Sequence, residues 1–219
     1  MQSKPKKKKR AQIVVKKLKE LFPEDPSTAL NYDNTWQLLV AVILSARTTD
    51  KKVNEVTEQL FDKYPTREDY LDLEKDELAG EIDSIGLYNS KAGYILDTAE
   101  KIGQDFDGEI PKNLEDMQEL SGVGRKTANV VLSEAFSKSE GVAVDTHVQR
   151  LSQKFGLTDE EKPDKIEQDL MEILPQDEWK NFTLRMIEYG REYSPAHKVE
   201  DTDDPISQAL KEEGLYSQD

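Results

Sequence analysis

Apolar residues recur along most of this chain at intervals of three and four, the signature of helices that bury one face. Val14, Leu18, Leu21 and Phe22 stand at i, i+4, i+7 and i+8, which predicts a helix from Arg10 that stops before Pro23. Residues 36–45 are almost wholly apolar, and their length favours a helix buried on most sides over a strand. Residues 50–64 place Val53, Val56, Leu60, Phe61 and Tyr64 on one stripe, with Thr49 or Asp50 as N-cap and Pro65 as the stop. Shorter helices are expected at 66–73 and 75–83, then a longer one carrying Ala92, Ile95, Leu96, Ala99 and Ile102 and closed by Gly103. Beyond a break at Gly108 and Pro111, the pattern gives helices at 114–120, 125–136, 146–155, 163–174 and 178–192, with a final one at 205–213. No segment alternates with period two, so the expected fold is all-α.

Composition narrows the chemistry. The 219 residues have room for one large domain or two small ones, and the absence of cysteine excludes disulfides, thiolate zinc sites, iron–sulfur clusters and cysteine nucleophiles. Two histidines leave no His-rich metal site, and no metal site is expected. No apolar run reaches the roughly 18 residues of a membrane span, so a soluble, intracellular protein without a membrane partner is expected. The net charge of -15 is unevenly spread. Six of the 30 bases lie in the first ten residues, leaving the other 209 with 24 bases against 45 acids. Residues 1–9 read as a disordered basic arm on an acidic body. A duplex repels an acidic body unless bases gather on one face, and the acidity also fits a salt-rich cytoplasm.

The most informative stretch runs from Leu120 to Ala128, where Gly122, Val123 and Gly124 make a tight Gly-x-Gly turn between two short helices. Such a turn lets backbone approach a ligand, and the N–H groups that open the second helix form a site for a phosphate oxygen. Val123 would anchor the turn in the core. This is the pattern of a helix-hairpin-helix, which grips a DNA backbone regardless of sequence, although an ordinary corner between helices also uses these glycines. Lys126 adds chemistry: a lysine in the first turn of a helix, beside Arg125, faces the positive end of the macrodipole, which disfavours its ammonium form and suits an amine nucleophile. Asp145, delivered to a helix start by the apolar run 141–144, can serve as N-cap, as acid–base partner, or as both.

Residues 44–50 (Leu-Ser-Ala-Arg-Thr-Thr-Asp), 85–92 (Ile-Gly-Leu-Tyr-Asn-Ser-Lys-Ala), 122–131 and 144–147 (Val-Asp-Thr-His) resemble endonuclease III, in order and at matching separations. The resemblance implies a base-excision repair glycosylase with AP lyase activity toward oxidised pyrimidines. Its fold would be two helical domains with a DNA-binding groove between them. These are a six-helix domain at 28–138 holding the hairpin, and a second domain made from 10–27 and 139–219. The resemblance puts the catalytic lysine at Lys126 and the catalytic aspartate at Asp145. DNA contacts would come from Gly122, Val123, Gly124, Arg125 and Thr127. Arg47 and Leu87 would fill the gap left by a flipped nucleotide, although Leu87 could equally anchor its loop in the core. Lys91, Arg150, Lys154 and Arg191 are further phosphate candidates. The implied partner is double-stranded DNA with a damaged base or abasic site, bound by a monomer in a prokaryotic cytoplasm near the nucleoid, with a nucleus also open.

Two departures stand out. Ser121 replaces a usual proline. The family's four cluster cysteines, spaced C-x6-C-x2-C-x5-C, fall on Ser194, Asp201, Asp204 and Leu210, so neither cluster nor other cofactor is expected. Two alternative readings remain open: a non-catalytic helix-hairpin-helix DNA-binding protein and a monofunctional glycosylase.

Overall fold

The computed structural model describes residues 3–24, 27–198 and 201–216, which form twelve α-helices and no strand among them. The chain divides into two compact units, residues 28–140 and residues 1–27 with 141–219.

The continuous unit is built around α2 (Thr35–Ser45), in which every residue from Trp36 to Leu44 is buried. Asn34 starts this helix by accepting from the Gln37 N–H at 3.0 Å. Three helices pack around it: α3 (Asp50–Lys63), α6 (Tyr88–Asp105) and α8 (Arg125–Phe136). The short helices α4 (Arg67–Leu71) and α5 (Lys75–Glu81) lean on α6, while α7 (Leu114–Gln118) leans on α8. Burying a leucine such as Leu38 or Leu44 stabilises by about 2–3 kcal/mol, so this one helix supplies much of the unit's cohesion.

Gly103 does not end α6. The helix runs on to Asp105, and the left-handed residues that close it are Asp107 and Gly108, the latter at φ 81° with its N–H donating to Ile102 O at 3.0 Å. Gly103 instead makes room for Arg67, whose Nη1 would lie 2.9 Å from a Cβ there and which donates to Ala99 O at 2.8 Å.

The second unit packs α1 (Lys4–Leu21) against α10 (Pro163–Ile173), α11 (Trp179–Glu192) and α12 (Pro205–Glu212), and α9 (Thr146–Lys154) against α10 and α11. Its core contains Val14, Leu18, Leu151, Phe155, Phe182 and Leu210. The basic segment is not the disordered arm expected: from Lys4 onward it is the opening of α1, and only residues 1–2 of it lie outside the described residues. Pro5 is tolerated in the first turn, and acids of the same unit pair with two of the lysines. Lys4 pairs with Glu172 at 2.7 Å, and Lys7 bridges Asp159 at 3.1 Å and Asp169 at 3.2 Å. Although burial works against it, these two carboxylates hold the Lys7 pKa above its ordinary value. Arg10 is buried and donates to Leu215 O at 2.7 Å and to Gly156 O at 3.2 Å.

Candidate active site and nucleic-acid interface

The hairpin is the turn between α7 and α8. Gly122 adopts φ 75°, and a Cβ there would lie 2.9 Å from Tyr94 Cβ, so conformation and packing both demand glycine. Val123 is buried in the core of its unit, as an anchor requires. Gly124 caps α8 with extended backbone, and a Cβ there would meet nothing within 4 Å. Its side faces open space, where a ligand's backbone can come close. The first turn of α8 leaves the N–H groups of Arg125, Lys126 and Thr127 without intrahelical acceptors, at the positive end of the helix dipole, where an anion is favoured. Arg125 and Lys126 are exposed and Thr127 is half-buried.

Arg47 and Leu87 sit on two neighbouring turns of the same unit. Both are non-glycine residues in the left-handed region, at φ 57° and 63°, and a Cβ on Gly86 would lie 4.0 Å from Arg47 O. Arg47 is exposed and Leu87 is 59% exposed, which rules out the core-anchor reading of Leu87. Strain of this kind persists only where the surroundings hold it, and it gathers at functional sites.

Lys91 is not a phosphate contact. It is 3% exposed, and its Nζ donates to Leu44 O at 2.8 Å, Ala46 O at 2.7 Å and Thr48 Oγ1 at 3.2 Å. Sequence reasoning also missed Tyr94, exposed beside Gly122, and Thr98, whose Oγ1 donates to Ser121 O at 3.0 Å. The signal was present: positions 87, 91, 94 and 98 follow helical spacing, so one face of α6 serves the Leu87 turn, the Arg47 turn and the hairpin.

In the other unit, Asp145 caps α9 by accepting from His147 N at 2.9 Å and Val148 N at 2.8 Å, both through Oδ1. Oδ2 takes part in neither bond. Arg150 lies in the field of Asp145, but burial pushes its pKa down and both terminal guanidinium nitrogens are enclosed, so it cannot offer them to a phosphate. Arg191, in the last turn of α11, is exposed.

Lys154 is likewise not a surface contact. Its Nζ meets Asp204 Oδ2 at 2.9 Å, with the two side chains 4% and 3% exposed, and donates to Ser194 Oγ at 2.9 Å and Asp201 O at 2.6 Å. Three of the four positions aligned with cluster cysteines thus converge on one ammonium. The fourth, Leu210, is buried in the apolar core. With no thiolate available, and with Ser194 and Asp204 committed to Lys154, the residues present do not fit an iron–sulfur cluster. Asp204 also caps α12 by accepting from Ser207 N at 3.0 Å and receives the Tyr189 hydroxyl. Among the described residues, no group of His, Cys, Asp and Glu is arranged to hold a metal ion, and no helix is long and apolar enough to cross a membrane.

Residues 40–176 match the HhH-GPD superfamily base excision DNA repair proteins. Endonuclease III of Synechocystis sp. is 45% identical over 192 residues, covering 88% of this chain and 87% of that protein. Endonuclease III of Bacillus subtilis is 38% identical over 93% of each. Among solved structures, a trapped endonuclease III–DNA covalent intermediate superposes with a TM-score of 0.85 at 38% identity over 94% of both chains. A non-covalent endonuclease III–DNA complex gives 0.86 at 36% identity, covering 98% of this chain and 100% of that one.

Proposed function

We propose, on the premise that the chain belongs to the HhH-GPD superfamily of base excision DNA repair proteins and within it to the endonuclease III family, that Lys126 is the nucleophile of a DNA glycosylase with AP lyase activity. The observation that carries this is the exposed Lys126 in the first turn of α8, among N–H groups that lack intrahelical acceptors and suit a phosphate oxygen. The substrate is duplex DNA carrying an oxidised pyrimidine or an abasic site. With the damaged nucleotide out of the stack, Lys126 Nζ attacks C1′, and the C1′–N bond to the base breaks as the C–N bond forms. Asp145, through the oxygen not used in capping α9, assists proton transfer and stabilises cationic character at the sugar. Opening of the sugar gives a Schiff base. Loss of a C2′ proton then expels the 3′ phosphate with the electron pair of the C3′–O bond, and water returns the lysine. The capture of a related endonuclease III in a covalent intermediate with DNA supports an enzyme nucleophile. Gly122, Val123, Gly124, Arg125 and Thr127 hold the backbone, Arg47 and Leu87 fill the vacated stack, and Arg191 is a peripheral phosphate contact. The protein works as a monomer in the cytoplasm, near the nucleoid.

Borohydride trapping on a duplex with one abasic site tests this reading. The parent protein forms a covalent adduct and nicks the strand, and Lys126→Ala does neither while still binding DNA. Asp145→Asn keeps the cap and the fold but slows excision of a damaged base by about 100-fold or more, the scale of a lost acid–base group. An adduct that survives in Lys126→Ala moves the nucleophile elsewhere. Base release without adduct or nick in the parent makes the protein monofunctional, and binding without either leaves a DNA-binding module.

A further inference from the structure

Lys91 is attached to both turns that carry the proposed gap-filling residues. Its backbone N–H donates to Leu87 O at 3.0 Å, tying it to the start of α6. Its side chain reaches the other turn, where the three protons of the ammonium meet Leu44 O, Ala46 O and Thr48 Oγ1. Leu44 O belongs to the last turn of α2, where helix carbonyls lack intrahelical donors and a cation is favoured. Ala46 and Thr48 bracket Arg47. One buried side chain therefore pins both flanks of Arg47 to the helix that begins at Leu87. Neither left-handed residue has a glycine's freedom, and neither has the side-chain burial that would hold it in place.

We propose that Lys91 is a positioning residue for base extrusion: it fixes the spacing of Arg47 and Leu87 so that the two enter the duplex as one unit when a nucleotide leaves the stack. This rests on the gap-filling reading of Arg47 and Leu87 given above. Lys91 touches no substrate. Its effect passes through the two turns, so it matters where a stack must be opened and not where the sugar is already accessible.

Two substrates separate these demands. Borohydride trapping on a single-stranded abasic oligonucleotide reads the Lys126 amine alone. Single-turnover excision of an oxidised pyrimidine from a duplex, with 2-aminopurine beside the lesion, reads extrusion as well. In Lys91→Met, the single-stranded adduct forms at close to the parent yield. Duplex excision falls by about 10- to 100-fold, the scale of a misplaced positioning group, and the 2-aminopurine rise is lost. Leu87→Ala gives the same pattern, and adding Lys91→Met to it lowers excision little further. Should Lys91→Met fail to fold by circular dichroism, Thr48→Val removes one of the three acceptors. It should slow duplex excision by about two- to tenfold, the worth of one hydrogen bond.

Loss in Leu87→Ala with parent-like duplex excision in Lys91→Met and Thr48→Val overturns the inference and leaves the gap-filling reading intact. Parent-like behaviour of Leu87→Ala removes that reading and the inference with it. An equal loss on single and double strands makes Lys91 a general structural brace and overturns its positioning role, as do fully additive effects in the double variant.

Discussion

Gly122 and Gly124 occupy one motif for different reasons, and substitution separates them. At Gly122 a methyl group meets Tyr94 at 2.9 Å on a left-handed backbone, so Gly122→Ala should cost about 1–3 kcal/mol of stability and weaken DNA binding. At Gly124 nothing within 4 Å opposes a methyl group, so Gly124→Ala should leave the melting temperature within a degree or two of the parent while weakening duplex binding. Calorimetry and fluorescence anisotropy on both variants check the contrast. If Gly124→Ala binds like the parent, the N-terminus of α8 is not where the phosphate sits. The Gly-x-Gly spacing and the position of Lys126 were legible because they lie within one short stretch of sequence. Lys91 was not. A lysine reads as a surface cation until its acceptors are known, and these are two backbone carbonyls and a hydroxyl some 45 residues upstream. The same holds for Lys154, whose partners lie as much as 50 residues downstream.

At the scale of elements, helix interiors followed from apolar spacing, and α8 matches its expected span residue for residue. Ends and partners depended on the rest of the fold. Gly103 looked like a cap because the side chain packed over it, Arg67, comes from another helix. The lysines of α1 looked like a disordered arm because Asp159, Asp169 and Glu172, the acids that pair with Lys4 and Lys7, lie near the other end of the chain. The same long-range pairing holds α12. Lys154 and Asp204 form a buried pair in which removing one partner strands the other, so Lys154→Met should lower stability by about 3–5 kcal/mol. Adding Asp204→Asn should recover part of that loss, since the amide keeps an oxygen for the α12 cap and carries no charge. Denaturant unfolding of the single and double variants checks both. Burial works to raise the Asp204 pKa, yet bonds from Ser207, Tyr189 and Lys154 hold it below the ordinary carboxylate range. A depressed carboxylate contributes stability that is complete above its unfolded value, about 3.9, and is lost as pH falls through the lower folded value. The parent should therefore lose more stability between about pH 4 and pH 2 than the double variant does. Equal losses would show that this pair does not govern the acid limb.

For the whole molecule, the question is how a chain of net charge -15 holds a polyanion. Of the cations expected at the interface, Lys91, Lys154 and the Arg150 guanidinium are enclosed, and Lys4 and Lys7 of α1 are paired with acids of their own unit. In the function proposed above, the phosphates are held by the hairpin's backbone N–H groups with Arg125 and Arg191, while Arg47 fills the stack and Lys126 attacks the sugar. Backbone donors and helix dipoles bind an anion without releasing the counterions that lysine and arginine contacts displace. The salt dependence of binding should therefore be shallow. Two neutralised phosphates weaken binding by about tenfold between 50 and 200 mM salt, whereas six to ten weaken it by about 10³- to 10⁵-fold. Duplex affinity measured across that range of potassium chloride should fall by about tenfold or less, and excision should persist at salt concentrations where a cation-rich binder has let go. A fall of a thousandfold would mean that further lysines reach the backbone, and that the acidic surface is balanced by a basic face rather than bypassed by backbone N–H groups. A shallow slope would make the acidity compatible with function at high salt, because the contacts that matter would be those that salt screens least.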